Sequence, residues 1–192
     1  MAGLILASRS PQRRAILQQL GIQFEVLPAD VEELEDGTPE EVAVENAFRK
    51  AAAAAAEAGT AVPVLGVDTV VCVESRIYGK PGDAGEARAT LRALSGRSHT
   101  VIGGICLTDE RGPRTAAVRT RVEFRPLSQG LIEWYLTTGE WRERAGGYAI
   151  QGRGAALVRR IDGDYLNVVG LPLNTLLDLA PWLLEAGDGG GC

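Results

Sequence analysis

Several short segments of this chain combine residue types that handle anions. Ser8-Arg9-Ser10-Pro11-Gln12-Arg13-Arg14 follows an apolar run, Leu4–Ala7, and opens a helix with Ser10 as N-cap and Pro11 at the first helical position. Helix N-termini carry unpaired N–H groups and partial positive charge, so acidic residues are the expected company there. Arginines at 9, 13 and 14 instead cost on the order of a few tenths of a kcal/mol each, unless an anion offsets them. A phosphate held by serine hydroxyls, N–H groups and arginine forks would reverse that sign, and a solvated basic face is the alternative. Gly66-Val67-Asp68-Thr69 sets an ionisable aspartate in an apolar strand, which is costly unless the carboxylate is paired or metal-bound. At a strand's C-terminal end Asp68 would face the crevice where α/β sheets bind ligands, ligating a divalent cation or polarising a water. A turn-capping aspartate is the alternative.

Of the 20 basic residues only Lys50 and Lys80 are lysine. Two lysines retained against an arginine-rich background suggest positions that need a compact ammonium rather than a planar fork, with chance as the competing explanation. Lys80 lies in a stiff Gly79-Lys80-Pro81 turn. In Ala145-Gly146-Gly147-Tyr148-Ala149-Ile150-Gln151-Gly152 the glycines permit close backbone approach and Gln151 carries both donors and an acceptor, suited to a base edge. A flexible connector would look the same. The acidic loop Val31-Glu32-Glu33 would add a metal carboxylate unless it is simply solvated. His99 reads as a structural hydrogen-bonder at the start of a strand.

Composition excludes several classes. One histidine and three cysteines, at 72, 106 and 192, fit neither a His-rich metal centre, a Ser-His-Asp triad, a zinc site nor a disulfide framework. A net charge of −5 argues against nucleic-acid binding by bulk charge. No apolar run could span a bilayer and no signal peptide is evident, so a cytoplasmic, soluble chain is expected. Walker A, dinucleotide-binding, HExxH and GxSxG motifs are absent. What remains is an anionic-ligand site with basic contacts and carboxylates, which favours metal-assisted attack of water on a phosphate.

The elements that would position these residues alternate strand and helix. After the Ser10 helix, closed by Gly21, come a strand at Phe24–Leu27 and a helix from the capping box Thr38-Pro39-Glu40-Glu41 to Ala58, ended by Gly59. Val64–Val73 reads as a central strand, Ile77-Tyr78 as a short one, and Asp83 with Glu86 caps a helix ending near Ser95-Gly96. Ser98–Leu107 and Thr115–Phe124 are strands turned by Arg111-Gly112-Pro113, and Ser128 starts a helix to Thr137. Ala145–Gly154 reads as loop, Asp162-Gly163 as a hairpin turn between Leu157–Ile161 and Tyr165–Val168, and Pro172 as the start of a last helix. The expectation is one α/β domain over residues 1–186, a mixed twisted sheet flanked by helices with a central cleft, followed by a disordered tail at 187–192.

Leu6-Ala7-Ser8-Arg9-Ser10-Pro11, Gly66-Val67-Asp68-Thr69, Gly79-Lys80-Pro81, Leu94-Ser95-Gly96, Ala145-Gly146-Gly147-Tyr148, Ile150-Gln151-Gly152 and Val169-Gly170-Leu171-Pro172-Leu173 occur in an order and spacing that resemble the Maf family, from Leu4 to Leu184. The resemblance implies an inosine-triphosphatase-like α/β fold. It also implies a cytoplasmic, often homodimeric enzyme that uses Mg²⁺ or Mn²⁺ to cut nucleoside triphosphates between the α and β phosphates. It assigns the general base to Asp68 and phosphate and metal contacts to Ser8, Arg13, Glu33, Lys50 and Lys80, with Asp68 and Glu33 as metal carboxylates. Asp68-Thr69 and Ile150-Gln151-Gly152 resemble the branch acting on dTTP and UTP, which makes Thr69, Gln151 and position 12 substrate contacts. Two positions depart from that branch: Gln12 stands where arginine is usual, and Arg144 where lysine is common. The rival readings are a nucleotide-binding regulator of septum formation without catalysis, and an inosine/xanthosine triphosphatase, whose opening asparagine and lysine Ser8-Arg9-Ser10-Pro11 lacks.

Overall fold

The computed structural model describes residues 3–59 and 61–185. In chain order the first elements are β1 (Ile5–Leu6), α1 (Pro11–Gln19), β2 (Glu25–Val26), α2 (Pro39–Ala58), β3 (Val64–Val73), β4 (Arg76–Tyr78) and α3 (Ala84–Leu94). They are followed by β5 (Ser98–Asp109), β6 (Gly112–Phe124), α4 (Gln129–Thr137), β7 (Val158–Asp162), α5 (Tyr165–Val169), α6 (Leu173–Leu179) and α7 (Trp182–Glu185). The sheet runs β2-β1-β3-β5-β6-β7, with β4 added beside β3. It is mixed: β1 is parallel to both β2 and β3, whereas β4 is antiparallel to β3 and β7 to β6.

Local chemistry sets the helix ends. The Ser10 hydroxyl accepts from the Arg13 N–H with Pro11 behind it, and Thr38 and Glu41 form the reciprocal capping box at the start of α2. Gly59 ends α2 in the left-handed conformation, at φ 58°, which only glycine adopts without steric cost. Asp83 and Ser128 cap α3 and α4 through their side chains.

Two compact units divide the chain: one holds the residues up to 68, 103–118 and from 170 onward, the other 69–102 and 119–169. Strands β3, β5 and β6 contribute to both. In the first unit α2 lies on the sheet through small residues. Ala43, Ala47, Ala51 and Ala54 are fully buried, and the facing positions are Gly66 on β3 and Gly104 on β5. A Cβ on Gly66 would stand 2.0 Å from the Ala47 carbonyl oxygen, and one on Gly104 equally close to that of Ala43. The second unit has a larger, partly aromatic core built on Val71, Leu91, Leu94, Phe124, Tyr135, Trp141 and Tyr148.

Three expectations are corrected. Asp162-Gly163 does not turn a hairpin: β7 ends at Asp162 and α5 follows. Asp164 competes for the backbone there, its Oδ1 accepting from the N–H groups of Leu166 and Asn167 at 2.8 and 3.2 Å. The buried Asn167 amide then docks the helix by donating to Thr120 Oγ1 and the Val101 carbonyl. The β5–β6 turn falls at Glu110-Arg111, so Gly112 and Pro113 already belong to β6. The Ala145–Gly154 stretch is not plain loop, because 3-10 turns form at Ala145–Gly147 and Arg153–Leu157. The expected tail at 187–192, with Cys192, lies outside the described residues.

Candidate active site

Five of the sequence-selected residues meet in the first unit. Strand β1 ends at Leu6, paired with Leu65, and Ser8 stands just past that end. Asp68 is not at the end of its strand as the sequence suggested; it is internal to β3, beyond Leu65, the last β3 residue paired with β1. This is the carboxyl edge of two parallel strands, where α/β sheets bind ligands.

Lys50 projects from α2 onto this edge. Its Nζ lies 2.7 Å from Asp68 Oδ1 and 2.6 Å from Glu33 Oε1. The Lys50 and Asp68 side chains are each only 14% exposed, against 46% for Glu33, so the carboxylate in the strand is compensated by the helix and not by solvent. That reach depends on Gly66, because a side chain there would hold α2 away from β3.

Arg13, in the first turn of α1, is fixed at two points. Its Nε donates to the Gly170 carbonyl and its Nη1 to Ser8 Oγ, both at 2.8 Å. Burial pulls the guanidinium below its ordinary value, and the Asp68 and Glu33 carboxylates pull it back up. An arginine remains charged under such opposing influences. Ser8 Oγ also accepts the Ser10 N–H at 3.2 Å, which ties the strand-to-helix turn together. Gln12 is half-buried and its Oε1 accepts from Ser10 Oγ at 3.1 Å. The first turn of α1 contains no acidic residue, so its dipole adds to the positive field of Arg13.

The acidic loop is held by residues whose part in the site the sequence did not reveal. Asn46, 2% exposed, accepts the Leu34 N–H at 2.6 Å and donates to the Leu34 carbonyl at 3.0 Å. Arg49 Nη1 donates to the Glu32 carbonyl at 2.9 Å. One signal was available: Asn46, Arg49 and Lys50 are polar residues spaced i, i+3, i+4 along a helix whose other buried positions are mostly alanine.

Thr69 follows Asp68 in β3, and with Lys80 and Gln151 it belongs to the second unit. Lys80 is exposed on its turn, which the Gly79 carbonyl anchors by accepting the Gly146 N–H at 3.1 Å. Gly146, at φ 69°, packs so tightly on Val71 that a Cβ would fall 2.9 Å from it. The Gln151 side chain is exposed, and the backbone beside it is shaped by Glu140, whose Oε2 accepts the Gly154 N–H and fills the space a Cβ on Gly152 would need. His99 is the structural group expected: buried, 2.8 Å from Tyr148 Oη through Nε2, edge-on to Phe124, and held neutral by burial with its pKa lowered to about 4.

The donor set suits a small hard cation. Among the described residues no group of three or more His, Cys, Asp and Glu side chains converges. Asp68 and Glu33 instead place two carboxylate oxygens on one ammonium. Mg²⁺ is commonly held in this way, by one or two carboxylates with water and phosphate oxygens completing the shell. No helix among the described residues is long and apolar enough to cross a membrane.

Comparison with known proteins adds the family. The dTTP/UTP pyrophosphatase of Gloeobacter violaceus is 48% identical over 178 residues, covering 92% of this chain and 93% of that protein. That of Symbiobacterium thermophilum is 45% identical over 181 residues and 93% of each chain. A crystal structure of a nucleoside-triphosphatase/dITP/XTP pyrophosphatase from Mycobacterium abscessus aligns with a TM-score of 0.45 and 19% identity, over 65% of this chain and 75% of that one. Residues 3–181 match the family described as Maf-like protein, and with the order of motifs seen in the sequence the chain belongs to the Maf family.

Proposed function

We propose that the protein is a metal-dependent nucleoside triphosphate pyrophosphatase acting on dTTP and UTP and releasing the monophosphate and pyrophosphate. The observation that carries this reading is Lys50 bridging Asp68 and Glu33 beside a doubly anchored Arg13. Close relatives bearing that activity in their names support the substrate.

The formal charges of Arg13, Lys50, Asp68 and Glu33 cancel, so the cluster alone gives little net attraction to a triphosphate. Mg²⁺ or Mn²⁺, held by Glu33 and Asp68, supplies the missing positive charge when bound. Asp68 has Oδ1 on Lys50 and offers Oδ2 to a water, orienting it and taking its proton as it attacks phosphorus. Lys50 donates two of its three N–H bonds to the carboxylates, which leaves the third for a phosphate oxygen. Arg13, unable to swing away from Ser8 and Gly170, presents a fixed charge to the departing pyrophosphate. The family resemblance assigns Lys80 to the phosphates and Thr69 and Gln151 to the nucleoside, with Gln12 standing in place of an arginine at a further specificity position.

The test is pyrophosphate release by the purified protein with Mg²⁺ or Mn²⁺ across dTTP, UTP, CTP, GTP, 7-methyl-GTP and ITP. Preferred cleavage of dTTP and UTP, abolished by EDTA, is expected. Failure to turn over any nucleotide with either metal would replace the enzyme by the nucleotide-binding regulator.

A further inference from the structure

Glu33 lies in a loop with five acidic residues between positions 30 and 36, which repel one another and favour an extended, solvated chain. Its backbone is nevertheless tied on both sides. The peptide plane before its Cα is held by Arg49 Nη1 on the Glu32 carbonyl, and the plane after it by Asn46 Oδ1 on the Leu34 N–H. The next carbonyl, that of Leu34, is held by Asn46 Nδ2. With both flanking planes anchored, φ and ψ of Glu33 are restrained, and with them the direction of its Cβ. The Asn46 amide binds Leu34 as a neighbouring strand would, with one donor and one acceptor, from a site excluded from water.

Three of its contacts come from one helical stretch: Asn46 and Arg49 take the main chain of the loop, and Lys50 takes the Glu33 carboxylate. Capping does not require Asn46, since α2 is capped by Thr38 and Glu41, and the alanine face of the helix supplies its packing. A buried asparagine spent on the backbone of an exposed acidic loop therefore acts on what that loop presents.

We propose that Asn46, assisted by Arg49, is a positioning residue that sets the Glu33 carboxylate at the divalent-cation position beside Asp68. This rests on the functional reading above and extends it to residues that touch neither substrate nor metal. Positioning partners of this kind typically change metal affinity by about 10- to 100-fold.

The experiment uses the full-length protein and two readouts that need no turnover. Hydrogen exchange should show the Leu34 amide protected in the wild type, and about tenfold or more faster in Asn46→Ala while α2 keeps its protection. Mn²⁺ alone, titrated by electron paramagnetic resonance, should bind about tenfold more weakly to Asn46→Ala. Asn46→Asp retains the acceptor for the Leu34 N–H, so its Leu34 amide should stay protected. Arg49→Met, a change at a partly exposed side chain, should weaken Mn²⁺ binding in the same direction and by less; it carries the test if Asn46→Ala fails to fold. Unchanged exchange at Leu34, or faster exchange with unaltered Mn²⁺ binding, would overturn the proposal. Pyrophosphate release is measured separately, so a wild-type protein that binds Mn²⁺ yet hydrolyses nothing refutes the enzyme and leaves the positioning result standing.

Discussion

Replacing Gly66 with alanine tests the claim that glycine on β3 sets the distance between α2 and the sheet, and through it the Lys50–Asp68 pair. The added Cβ would lie 2.0 Å from the Ala47 carbonyl oxygen, 2.8 Å from the Ala51 nitrogen and 2.9 Å from the Ala51 Cβ. Cβ atoms essentially never approach heavy atoms within 3.0 Å, so helix and strand must separate by about 1 Å or more. The obstacle is helix backbone and cannot rotate away. Overpacking of a well-packed site costs about 1–3 kcal/mol, and a rigid obstacle on a fully buried alanine face puts this case near 3. For a chain of this length that lowers Tm by about 6–12 °C. The functional effect should exceed the loss of folded protein. Lys50 sits on the displaced turn, 2.7 Å from Asp68, and a misplacement of about 1 Å in a catalytic constellation costs about 10²-fold in rate. The assay pairs thermal unfolding with pyrophosphate release at a temperature where the variant is folded. Gly79→Ala is the stability control, since a Cβ added there would meet nothing within 4 Å and its φ is not in the left-handed region. A Gly66→Ala protein with wild-type Tm and turnover would refute the close-approach argument.

Other outcomes follow from the same geometry. Asp68→Asn should cut turnover by about 10²-fold or more while leaving Tm within a few degrees, and near-normal turnover would remove Asp68 as the base. Lys50→Gln leaves the Asp68 and Glu33 carboxylates with no ammonium between them, so turnover should fall by about 10²-fold, read as pyrophosphate released at saturating metal. Arg13→Lys cannot reach Ser8 and Gly170 together, so the charge offered to the departing pyrophosphate is misplaced and kcat should fall by about tenfold or more, with a smaller rise in KM. His99 is neutral in the folded state, its pKa lowered to about 4 by burial, so between that value and 6.5 the unfolded chain binds the extra proton. Stability from this group is therefore complete above pH 6.5 and lost on acidification toward 4, reaching about 2 kcal/mol at pH 5. Urea unfolding should show His99→Phe losing less stability than wild type between pH 7 and pH 5.

The sequence by itself carried the elements whose signals are local. Ser10-Pro11, the Thr38–Glu41 box, Asp83 and Ser128 each cap a helix through contacts within three or four residues, so those helix starts were legible, as was the β-branched run of β3. The chemistry was legible for a related reason: arginines at a helix start, an aspartate in an apolar strand and two surviving lysines each contradict local preference. Where a distant partner decides the local state, the sequence misled. Asp162-Gly163 has the form of a hairpin turn, yet Asp164 and Asn167, docked on Thr120 and Val101, make the following segment helical. Asp68 stood out as a functional group, but its place inside β3, beyond the last pair with β1 and bridged by Lys50 of α2, is a fact of strand pairing and helix packing. Asn46 left only its helical spacing with Lys50 as a signal and the Gly170 carbonyl left none, because their partners lie 12 and 157 residues away. Residue type shows what a side chain can do, whereas the close approach of α2 to Gly66 and Gly104 decides which charges meet.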